Sequence, residues 1–249
     1  MNIKYWLFFP LILSSIPAMA EMPNPPAGNA ATPTMKTTEF SLAHNQATAQ
    51  LSDKEIMALA EQAVKQQRWQ DAFDLILPLA QKGDLLAQTN IGLFYLQGRG
   101  VAQDLDKAYW WLSEAAERGS VKALNNLGLM YLEGNGVRKS VPHAIKLFTL
   151  SAKSDNPRSA YILGLVYYKE LADFKNALTW FQRAATLGDS EAGFNLGYMY
   201  ESGKGTPVDI KKAIHWYQNS LDNQSHFNAE FQAKVKAKIA ELKALAKDH

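Results

Sequence analysis

The chain has no cysteine among its 249 residues. No disulfide can staple it, no thiolate can hold a metal, and no N-terminal cysteine can carry a lipid. An excess of one charge sign is also missing. Twenty-six Lys and Arg stand against 24 Asp and Glu, a formal net charge of +2, so the basic footprint of a nucleic-acid binder is absent. Histidine is sparse: His44, His143, His215, His226 and His249 include no pair at i, i+4 and no H-E-x-x-H. No G-x-S-x-G elbow occurs. Gly203-Lys204-Gly205-Thr206 looks like part of a phosphate loop, but glycine follows its lysine. The same place in earlier copies holds Gly98-Arg99-Gly100 and Gly134-Asn135-Gly136, so it reads as a turn. Asn223-Gln224-Ser225 fits a glycosylation acceptor by pattern alone. The expectation is no catalysis, no cofactor and no metal.

Long apolar runs are scarce as well. Residues 5–16 form one that is too short to cross a bilayer. Lys4 precedes it and Ala18-Met19-Ala20 follows, the pattern of a cleaved secretory signal over residues 1–20. The mature chain is then expected to begin at Glu21, with no integral membrane segment. The other reading is an uncleaved anchor. Residues 21–50 carry Pro23, Pro25, Pro26 and Pro33 with few apolar side chains, and are expected to be a flexible tether.

What the chain does have is a repeat. Residues 85–120 read LLAQTNIGLFYLQGRGVAQDLDKAYWWLSEAAERGS, and copies follow at 121–156, 157–189 and 190–225. Their anchor glycines, Gly92, Gly128, Gly164 and Gly197, stand 36, 36 and 33 residues apart. Such a period marks stacked units. Each copy reads as a helix hairpin, with Ile91 and Tyr95 on one face of the first helix and Ala108, Trp111, Leu112, Ala115 and Ala116 buried by the second. Asp104 is the expected cap between them. The third copy is short in the turn, where length is tolerated. Residues 51–84 form a degenerate opening repeat, and residues 226–249 a capping helix with Phe231, Val235, Ile239 and Leu242 in one stripe and a wet lysine back. One hairpin cannot bury so much aromatic surface alone. At about 25 cal/mol per Å² of apolar area, stability must come from stacking. The expected fold is all-α, a right-handed α-α superhelix (a solenoid of helix-turn-helix repeats) over residues 51–249.

These residues resemble the Sel-one-like repeat family, a relative of tetratricopeptide repeats. The first copy matches its pattern at Ala87, Gly92, Tyr95, Gly98, Gly100, Val101, Asp104, Lys107, Ala108, Trp111, Ala115, Ala116 and Gly119. Departures are Ser140 for the aspartate, Thr206 for the valine, and the short third turn. The resemblance implies a protein-binding scaffold of bacterial envelopes, and with the signal it implies a periplasmic or secreted protein of a Gram-negative bacterium. It also implies that one side of each first helix lines a concave groove.

A helical wheel, at about 100° per residue, puts Leu86, Thr89, Leu93 and Leu96 on that second face, opposite Ile91. The position of Leu93 is filled by Leu129, Leu165 and Tyr198 in later copies; that of Leu96 by Leu132, Tyr168 and Glu201. The leucines suit packing between copies as well as a ligand. Tyr161, Tyr168, Phe194 and Tyr198 are the candidate aromatic contacts. Asn90, Asn126 and Asn195 offer donors and acceptors to a peptide backbone. Lys122 and Arg158 are candidate receivers of carboxylates. Tyr95, Tyr131, Tyr167 and Tyr200, with Trp111, Trp180 and Trp216, are expected in the core, and Trp110 on the outer flank. The expected protein is a monomer that binds a protein or peptide partner in the groove. The alternative is a cell-wall-active enzyme or binder, of β-lactamase, penicillin-binding or peptidoglycan-binding type, although no S-x-x-K with its companion motifs is present.

Overall fold

The computed structural model describes residues 51–222 and 229–246. The expected signal and tether, His44, His226, His249 and Asn223-Gln224-Ser225 lie outside them. The described residues contain eleven α-helices and no strand. They divide into two compact units, 51–151 and 152–246.

The first unit holds α1 (Asp53–Lys65), α2 (Trp69–Gln81), α3 (Leu85–Gln97), α4 (Leu105–Glu117), α5 (Val121–Glu133) and all but the last residue of α6 (Val141–Ala152). The second holds α7 (Pro157–Lys169), α8 (Phe174–Thr186), α9 (Ser190–Ser202), α10 (Ile210–Asp222) and α11 (Ala229–Leu245). From α1 to α5, and again from α7 to α11, each helix packs on the next in sequence. This is the all-α repeat architecture the periodicity predicts.

Short polar side chains start the helices by accepting from backbone N–H groups that lack an internal partner. Asp84 accepts from Ala87 at 2.7 Å, Asp104 from Lys107 at 2.9 Å, Asn156 from Ser159 at 3.0 Å and Asp189 from Ala192 at 2.8 Å. Ser140 caps α6 where the other copies use aspartate. The turns share one closure. The N–H of the capping residue donates to a tyrosine carbonyl: Asp104 to Tyr95, Ser140 to Tyr131, Asp173 to Tyr167 and Asp209 to Tyr200. The short third turn keeps this bond by placing Ala172 at φ 51°.

The packing of each hairpin turns on its anchor glycine. Gly92 faces Leu112, Gly128 faces Phe148, Gly164 faces Phe181 and Gly197 faces Tyr217. In every copy a Cβ on the glycine would collide with that side chain. The four partners are 2% exposed or less. This is the core position that repeats. Trp111 is also buried, but Trp180 and Trp216, its counterparts, are half-buried, while Phe181 and Tyr217 next to them fill the glycine-lined slot. Tyr95 and Tyr200 are buried as expected; Tyr131 and Tyr167 are only half-buried. Tyr131 reaches the rim, where its hydroxyl lies 3.2 Å from that of Tyr109 and its ring stacks on His143.

Candidate functional site

Within the first unit an open groove of about 770 Å³ runs between α1 and the first helices α3 and α5. Its floor includes Ala72 and Ile76 of α2. Its walls include Met57 and Val64 of α1 and Leu86, Leu93 and Phe94 of α3. Asn90, Lys122 and Asn126 lie along it too. So the face opposite Ile91, read from the wheel, is concave and accessible here. Leu86 is 55% exposed and Val64 36%. Lys122 Nζ donates to Asn90 Oδ1 at 3.3 Å, and Asn126 Nδ2 donates to the Lys122 carbonyl at 2.7 Å. Both amides keep further donor or acceptor capacity. Partial desolvation lowers the Lys122 pKa. Thr89 departs from the wheel reading: it is buried, 2.9 Å from the Ser120 hydroxyl, and joins one copy to the next.

The second unit treats the same face differently. Tyr161, expected at the groove, is buried beside Phe181, with ring centroids 5.9 Å apart. Burial pushes its phenol pKa up, and Asn195, also buried, hydrogen-bonds the hydroxyl. Arg158 lies 4.9 Å over the Tyr161 ring and pairs with Glu191. Phe194 is half-buried against Phe231 of α11, at 5.0 Å between centroids, and against Tyr217 at 5.4 Å. Lys238 of α11, expected on the wet back, bridges to Glu201 at 3.3 Å and Glu241 at 3.0 Å. The capping helix thus covers part of the surface that sequence reading offered to a partner. The reason is size: Phe194 and Phe231 gain more by stacking on each other than by facing water.

Tyr168 and Tyr198 form a third arrangement. Lys204, from the Gly203-Lys204-Gly205 turn, stands 5.0 Å from the Tyr168 ring, 5.3 Å from Phe174 and 5.3 Å from Tyr198. Its Nζ donates to Tyr168 Oη at 2.6 Å, a bond that raises the lysine pKa. The cluster that looked like a ligand surface already holds an ammonium. The same motif occurs once more: Arg99, at the centre of the first turn, lies 4.8 Å over Trp69. Trp69 and Phe174 both open the second helix of the preceding copy.

Of the nine expected site residues, then, Asn90, Lys122 and Asn126 share one open groove. Tyr161 and Asn195 are interior. Arg158, Tyr168, Phe194 and Tyr198 are engaged by the chain's own groups. Sequence reading missed the contribution of α1, because the opening repeat matches the others poorly. The spaced apolar residues Met57, Ala60 and Val64 were the available signal.

A family model for the Sel1 repeat matches residues 85–120, 121–156, 157–189 and 190–225. Among solved structures, a Sel1 repeat protein from Oxalobacter formigenes is similar at TM-score 0.64 and 27% identity, over 76% of each chain. The protective antigen c5321 of uropathogenic Escherichia coli, which has an SLR fold, is similar at TM-score 0.64 and 25% identity; the match covers 73% of this chain and 40% of that one. The chitin synthase regulator SKT5 of Saccharomyces cerevisiae is 40% identical over 52 residues, which is 21% of this chain and only 8% of SKT5.

Proposed function

The chain belongs to the Sel1 repeat family, and from that premise we propose that it is an exported adaptor that holds a protein partner in the groove between α1, α3 and α5. Sel1 repeat proteins mediate protein–protein interaction and are generally non-catalytic. The observation that carries the reading is the openness of this groove. On the same face of the second unit, that unit's own Phe231, Lys238 and Glu191 engage Phe194, Glu201 and Arg158. A scaffold with every inner position self-filled would have nowhere to seat a partner. Here apolar side chains stand partly in water, which marks an interaction surface. The periplasmic or secreted location rests on the N-terminal sequence: a lysine, a short apolar run and Ala18-Met19-Ala20.

The test is site-specific photocrosslinking in the native host. A photoreactive residue at Leu93 should capture one discrete partner. The same residue at Trp110, outside the groove, should not. Capture at both positions alike, or at Trp110 alone, would refute the groove. N-terminal sequencing should find Glu21 first; an intact Met1 would refute export by cleavage.

A further inference from the structure

Three cations line the groove: Lys54, Arg99 and Lys122. Glu61 is the one carboxylate in the lining, and it is paired with Lys65 at 3.1 Å. Two of the three cations engage uncharged groups, Lys122 the Asn90 amide and Arg99 the Trp69 ring. The second unit shows what such a cation does when the chain supplies an anion. Arg158 stands one period after Lys122, and it takes Glu191 of the following copy. For Lys122 the matching residue on the other side is Leu86, which has no charge to give.

We propose that the groove of the first unit takes a protein segment that combines apolar side chains with carboxylates. This rests on the groove reading above and adds the chemistry of the partner. The apolar side chains displace water from Met57, Val64, Leu86 and Leu93, where the area term lies. The carboxylates meet Lys122 and Arg99 at the rim, where they select the partner and speed encounter. A basic segment would put like charges together and leave Lys122 partly desolvated without an anion.

The experiment uses the full chain and two labelled amphipathic peptides of the same Leu and Ala pattern, one bearing Glu and one bearing Lys on its polar face. Fluorescence anisotropy should show the Glu peptide binding about tenfold more tightly than the Lys peptide. Added salt should weaken the Glu peptide. Arg99→Glu with Lys122→Glu should reverse the order of the two, while circular dichroism shows the helices kept. Equal affinities, a tighter Lys peptide, or no binding by either would overturn the assignment of acidic chemistry. In those cases a discrete partner still crosslinked at Leu93 would leave the groove reading standing. An intramolecular crosslink from Leu93 to the chain's own N-terminal residues would overturn both.

Discussion

Gly128 faces the edge of the Phe148 ring, whose Cε1 would stand 2.5 Å from a Cβ on that glycine. Phe148 has no exposed surface, so it cannot swing away. Gly128→Ala should therefore destabilise the fold by about 1–3 kcal/mol through overpacking. Urea unfolding with unchanged m-value is the measurement. Adding Phe148→Leu should recover part of the loss, because Leu112 already serves opposite Gly92 in the first copy.

Phe231 is buried and covers Phe194. Phe231→Ala should cost about 3 kcal/mol or more, as for other buried aromatic truncations. Dye binding to exposed apolar surface should rise. Tyr161→Ala should act in the same way, as a stability defect seen in thermal melts, because its ring is interior.

Lys204 completes a ring of three aromatic faces. Lys204→Ala should lower stability by about 0.5–1 kcal/mol, the usual worth of a cation over a ring near the surface. Lys204→Arg should retain most of it. Paired melts of the two variants read the difference.

Acid should loosen the helix starts. Burial works to raise the Asp104 pKa, but the hydrogen bonds from Lys107 and its charge leave it below the usual carboxylate value of 3.8. Asp173 and Asp209 are lowered by backbone hydrogen bonds from Asn176 and Lys212. A carboxylate depressed in the folded state adds stability above its unfolded pKa, and that stability is lost as pH falls through the folded value. The melting temperature should therefore decline below about pH 4. Asparagine at the three positions keeps a capping acceptor without the charge, and should flatten that decline.

The fold was legible because period, glycine and cap all recur together. A stripe such as Phe231, Val235, Ile239 and Leu242 needs a partner surface, and it found one. The candidate site was half legible. A wheel shows which way Leu93 and Asn90 face, and both line the open groove of the first unit. It does not show what another helix lays over that face. Phe194 and Phe231 are 37 residues apart, and nothing local to either announces the other. Trp111 lies in the core as expected, but Trp180 and Trp216 only pack against the core of the second unit. Trp180 and Phe181 are adjacent large rings, and the one that faces Gly164 across the hairpin, Phe181, is fully buried.

The closing glycine of each full turn touches the helix start of the copy before it: Gly100 meets Trp69, Gly136 meets Leu105 and Gly205 meets Phe174. Where that helix start is aromatic, the residue before the glycine is basic, as Arg99 and Lys204 are. The natural cassette for engineering is therefore offset by half a period. It runs from one second helix through the next first helix and its turn. Exchanging whole copies cut at their first helices would sever these clasps and juxtapose unmatched halves. Shifting the splice sites by one helix would carry each matched pair intact into its new host.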